Sequence, residues 1–113
     1  MRREFALTGI AVDTRQDDDV VVIAVAGEVD IATVPKLQQA ISEVLAAPPA
    51  RVEVDLAGVS FLDSTGIGAL VAGRNRAAEI GVRFVVANPR SIVRRVLDVS
   101  GLLGPLGVDD TSV

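Results

Sequence analysis

The segment from Val20 to Ala26 limits what this chain can fold into more than any other. It is an unbroken apolar run, rich in β-branched residues, closed by Asp19 on one side and Gly27 on the other. A run of that kind is far short of the roughly 20 residues that cross a bilayer. It suits a strand covered on both faces, in the centre of a sheet with helices packed against it. Phe5 to Thr14 alternates loosely and is weakened by Gly9, so it is expected to be a flanking strand. The polar break Gln16-Asp17-Asp18-Asp19 between the two runs predicts a hairpin with a solvated acidic turn.

Beyond Gly27 the period changes from two to about 3.6. Val34, Leu37, Ile41, Val44 and Leu45 recur at helical spacing, with Lys36, Gln38, Gln39, Ser42 and Glu43 on the other side. Thr33 is the expected N-cap, Pro35 sits in the first turn, and Pro48-Pro49 stops the helix. Val52, Val54 and Leu56 alternate with Glu53 and Asp55, which predicts a strand from near Arg51 followed by a short connection. A second helix is expected from the Ser64 region, through Ile67, Leu70 and Val71, to about Ile80 and Gly81. Arg74 falls on its apolar stripe. Arg83 to Ala87 predicts another buried strand. Asn88-Pro89 is expected to open a third helix with Ile92, Val93, Val96 and Leu97 on its stripe, ended by Gly101. A weak last strand is expected around Pro105 to Val108, then a frayed tail from Asp109 to Val113. Strands and helices alternating after a hairpin imply one α/β domain over residues 1–113, with a mostly parallel sheet and right-handed crossovers.

Composition now narrows the function. The 113 residues contain no Cys and no His, which removes disulfides, a thiolate nucleophile, an imidazole base and the usual zinc ligands. The net charge is −4 and the aromatics are three Phe, so neither a basic stripe nor stacking platforms exist for nucleic acid. The N-terminus has no long apolar core of the secretory kind. The expectation is a cytoplasmic, non-enzymatic binding module without cofactor or metal.

Two places call for more than a structural role. Asp63-Ser64-Thr65-Gly66 lies at a strand-to-helix junction, where parallel sheets place their ligands and the first-turn N–H groups attract negative charge. Ser64 as a plain helix cap explains part of this, but Ser, Thr and two glycines also form an accessible elbow. The rivals fail on particular residues. A phosphate-binding ATPase loop needs Gly-Lys-Ser/Thr, and a dinucleotide fingerprint needs a glycine where Val71 stands. A nucleophile elbow needs Gly-x-Ser-x-Gly and a His. The second place, Gly27-Glu28-Val29-Asp30, reads as a strand-to-helix loop. It leaves the same end of the sheet if the strands are parallel.

These two segments, extended through Phe61-Leu62-Asp63-Ser64-Thr65-Gly66-Ile67-Gly68, resemble the bacterial anti-sigma factor antagonists, whose fold is the STAS domain. Ile92 to Leu102 fits the same pattern. The resemblance implies a partner-switching protein that binds an anti-sigma factor serine kinase, is phosphorylated on Ser64 and released, and is restored by a serine phosphatase. It places Asp30, Ile31, Thr33, Asp63, Ser64, Thr65, Gly66 and Ile67 at the partner surface. No direct nucleic-acid or membrane contact is expected, and the protein is expected to be a monomer or weak homodimer. Family members carry a further helix after a last strand, and by this reading the chain lacks it. Two alternatives stand beside this one: a STAS-type scaffold in another signalling complex, and a nucleotide-binding protein using the helix-mouth loop.

Overall fold

The computed structural model describes residues 9–108. The apolar run becomes β2, Val20–Val29, and it is an inner strand. It pairs antiparallel with β1, Ile10–Asp17, and parallel with β3, Arg51–Leu62, which in turn pairs parallel with β4, Arg83–Ala87. The sheet order is β1-β2-β3-β4. The expected hairpin forms with Asp17 opposite Val20, and Asp18 turns the chain at φ 55°, a conformation Asp tolerates. The carbonyl of Asp19 accepts from Ala50 N at 2.9 Å, tying the acidic turn to the start of β3. The part of the expected first strand before Gly9 and the tail from Asp109 lie outside the described residues.

Helix α1, Val34–Ala46, follows β2 and buries Val34, Leu37, Ile41 and Leu45 of the stripe read from its spacing, with Ala40 in addition, while Val44 of that stripe is half-buried. Helix α2, Ser64–Glu79, follows β3, and α3, Ser91–Val99, follows β4. Helix α2 crosses α1 closely because Gly73 has no side chain. A Cβ there would lie 3.1 Å from Ile41 and from Phe84 of β4. The core is layered and almost wholly aliphatic, Phe84 being its one aromatic among the described residues, with Ile23, Val52, Val54 and Val86 of the sheet and Leu37 and Leu70 of the helices essentially inaccessible. Among the described residues no helix is long and apolar enough to cross a membrane.

Several expectations need correcting. The connection expected after Leu56 does not exist: β3 continues to Leu62, because register shifts at Ala24/Ala26 and Gly27/Glu28 let it stay paired with β2. Close packing permits this, since a Cβ on Gly58 would lie 2.8 Å from that of Ala26. Arg74 lies beside the buried stripe, which runs through Ala69, Gly73 and Ala77 instead. Its guanidinium donates to Asn75 at 3.3 Å. Asn88 does not cap α3. It turns the chain at φ 55°, and Arg90 is the residue before the helix. Only Val93 and Leu97 of the α3 stripe are buried, and Ile92 is 62% exposed. No strand forms at Pro105 to Val108, where the chain runs in turns and reaches the sheet through one bond, Val86 N to Leu106 O at 2.9 Å. With no strand there, the final helix of the described fold is α3 itself, present and short.

Leu70 is fully buried between the helical layer and the sheet. Leu70→Ala should cost roughly 2–5 kcal/mol. Urea unfolding checks it, with a lower midpoint at an unchanged slope.

Candidate functional site

Because β2 and β3 run parallel, both end on the same side of the sheet, and their last registered pair is Val29 with Leu62. The Asp63 amide donates to Val29 O at 3.1 Å, so the entry to α2 is fastened to the end of β2. This bond holds Asp63 extended, with ψ at −172°, and the helix begins at the next residue. Asp63, not Ser64, is therefore the cap. Its Oδ1 accepts from Thr65 N at 2.9 Å and Gly66 N at 3.2 Å, and from the Thr65 hydroxyl. Gly66 is buried because the first turn sits directly on the strands. A Cβ there would fall 2.5 Å from Leu62 and 2.8 Å from Val29.

Ser64 consequently has no capping duty. It occupies the first helical position, it is exposed, and its hydroxyl has no hydrogen-bond partner among the described residues. Thr65 is half-buried and its hydroxyl is engaged by Asp63. The two adjacent hydroxyls, equivalent in the sequence, thus differ in access and in hydrogen bonding.

The neighbouring loop is also built around a carboxylate. Gly27, Glu28 and Val29, read as loop, are still strand, so the loop proper starts at Asp30. Asp30 Oδ1 accepts from Ala32 N at 3.0 Å and Thr33 N at 3.1 Å. In return the Asp30 amide donates to the Thr33 hydroxyl at 3.0 Å, and that hydroxyl donates to Glu28 O at 2.8 Å. Thr33 stands at the cap position of α1, but its side chain makes no capping bond, because it faces back into this loop. The clamp pushes Ile31 outward to 75% exposure. Thr33 and Gly66 are buried, so their contribution lies in the shape of the loop and of the helix entry. Asp30, Asp63, Thr65 and Ile67 are half-buried, and Ile31 and Ser64 are open.

One residue was absent from the candidates read in the sequence. Phe61, register partner of Glu28, is 48% exposed at the same end of the sheet. Its signal was strand parity: Leu62 is buried, so its neighbour points the other way. No group of described acidic residues is placed to hold a metal ion.

Comparison with known proteins gives a consistent result. The family model described as "Mlab, STAS domain" matches residues 12–107. The anti-sigma-F factor antagonist RsfB of Mycobacterium tuberculosis is 34% identical over 93 residues, covering 82% of this chain and 75% of that protein. The crystal structure of an anti-sigma factor antagonist from Mycobacterium paratuberculosis matches with a TM-score of 0.83 and 32% identity, over 89% of this chain and 86% of the other. The anti-sigma factor antagonist SpoIIAA in its unphosphorylated form matches with a TM-score of 0.75 and 27% identity, over 88% and 86% of the two chains.

The Asp63 carboxyl is held below its ordinary value of 3.8, chiefly by the Thr65 hydroxyl bond; desolvation opposes this, and the Gly66 and Thr65 amides each add a smaller lowering effect. A depressed folded-state value makes the contribution of Asp63 to stability present above about pH 4, and lost as pH falls through the folded value. Asp63→Asn should remove this part of the acid sensitivity. The check is the slope of unfolding free energy against pH below 4, which should be shallower in the variant.

Proposed function

The chain belongs to the STAS domain family, and on that premise we propose that it is an anti-sigma factor antagonist: its unphosphorylated form binds an anti-sigma factor and so frees a sigma factor. The kinase activity of that partner modifies Ser64, and a serine phosphatase reverses the modification. The carrying observation is the state of Ser64, exposed at the first helical position with its hydroxyl unused because Asp63 does the capping. The named relatives supply the class of partner. SpoIIAA also matches in its phosphorylated form, with a TM-score of 0.69 at 26% identity, over 88% of this chain and 89% of the other.

The surface supports docking at this end of the sheet. Ile31 and Phe61 are large apolar side chains left open at the joined strand ends. Burying an aliphatic side chain of that size contributes about 1.5–3 kcal/mol. Phosphoserine adds roughly 1.5 to 2 negative charges beside Asp63. At an interface, a like-charge approach or a desolvated anion costs several kcal/mol. About 2.7 kcal/mol already weakens binding a hundredfold. Repulsion at the contact therefore suffices as a switch, and the fold need not change.

Incubation with the cognate anti-sigma factor and ATP, followed by mass mapping, tests the reading. Phosphate should appear on Ser64, be absent in Ser64→Ala, and lower the affinity at least a hundredfold. An unmodified protein that forms no complex with any anti-sigma factor of its own genome refutes it. A separate variant probes the apolar contact. Ile31→Asp should weaken the unphosphorylated complex by roughly tenfold or more, read by calorimetry, with the unfolding midpoint nearly unchanged because the residue is exposed.

A further inference from the structure

A phosphate beside a helix N-terminus ordinarily turns inward, because the first-turn amides are free and point at it. In α2 most of that seat is already taken, leaving only the amide of Ser64 itself. Three backbone amides, those of Ser64, Thr65 and Gly66, precede the first helical bond, Ile67 N to Asp63 O at 3.0 Å. Asp63 Oδ1 accepts from two of them, Thr65 N and Gly66 N, and from the hydroxyl of Thr65 as well. One fixed carboxylate therefore holds the positive end of the helix. It belongs to the residue immediately before Ser64, so any phosphoryl group on Ser64 has to compete with it at closest range.

We propose that Asp63 is the positioning residue of the switch: by occupying the anion seat of α2 it keeps a phosphoryl group on Ser64 displayed outward, toward the partner, instead of neutralised within the protein. This rests on Ser64 as the modified residue and adds what decides the direction of the new charge. Three consequences follow from electrostatics. The outward phosphate keeps its full charge for repulsion. Its second ionisation is not favoured by the Thr65 and Gly66 amides and is opposed by the neighbouring carboxylate, so the second pKa stays at or above about 6. A carboxylate already balancing the helix end also leaves the fold little changed when the phosphate arrives.

The test needs no kinase, which separates it from the proposed function: phosphoserine is installed at position 64 by genetic code expansion. Its second pKa is read by phosphorus NMR, and the Thr65 and Gly66 amides by nitrogen–proton correlation spectra over the same titration. In the native background the pKa should lie at about 6 or above. The two amides should show little response as the phosphate ionises. In Asp63→Gly, a replacement that costs helix caps only a few tenths of a kcal/mol, the phosphate should take the vacated seat. Its pKa should then fall by about half a unit or more, and both amides should follow its titration. Asp63→Asn separates occupancy from charge. Its side-chain oxygen still accepts from the amides, so they should stay unresponsive while the pKa loses the carboxylate's upward push. A native-background pKa well below 6, with the Thr65 and Gly66 amides tracking phosphate ionisation, overturns the proposal. So does an Asp63→Gly protein that behaves like the native one.

Discussion

The site depends on one backbone hydrogen bond, from the Asp63 amide to the carbonyl of Val29. It fastens the start of α2 to the end of the neighbouring parallel strand, and it fixes which residue is the last extended one. Because Asp63 is held extended, its side chain is the one aimed at the first-turn amides, and Ser64 enters the helix with a free hydroxyl. Gly66 completes the arrangement. Only a residue without a side chain lets the first turn rest on Leu62 and Val29 at this distance. A strand pairing, a cap and a close approach thus converge on Asp63, Thr65 and Gly66 and leave Ser64 between them exposed.

The second loop follows the same logic with different parts. Asp30 and Thr33 use their side chains on each other and on the local backbone, and the result is an exposed Ile31. Two carboxylates organise the two loops through short-range hydrogen bonds, so both loops have defined shapes without contributing buried apolar surface. Under the proposed switch, such loops keep their shape when a charge is added beside them, since the core beneath is apolar and does not depend on that charge.

Much of this was legible in the chain. The Val20 to Ala26 run was legible as an inner strand from its shortness and its β-branched content, and the spacing of Val34, Leu37, Ile41 and Leu45 as a helix from its period of about 3.6. The motif at Asp63 to Gly66 marked the site for the same local reasons: a strand end, good capping residues and glycine. What was not legible was anything decided by a neighbour. Ala57 to Ser60 lacks a strand signal of its own and is strand only because bulges keep it registered against β2. Asn88-Pro89 has the composition of a helix start, yet the chain is still turning there and the helix begins after Arg90. Ile92 has the right spacing for the buried side of α3, but the sheet covers only Val93 and Leu97.

Asp63 and Ser64 mark this boundary most sharply. Both are strong capping residues, and side-chain chemistry does not rank one above the other. The sequence by itself determined that an α/β sheet would form, that a hydroxyl-rich turn would sit where β3 meets α2, and that no thiol or imidazole chemistry was available there. The tertiary structure decided which carboxylate caps the helix, which hydroxyl is left free, and which apolar side chains remain uncovered. The physical reason is range. Periodicity and turn chemistry act over a few residues along the chain, whereas the choice between Asp63 and Ser64 was made by Val29, thirty-four positions away in sequence and one hydrogen bond away in space.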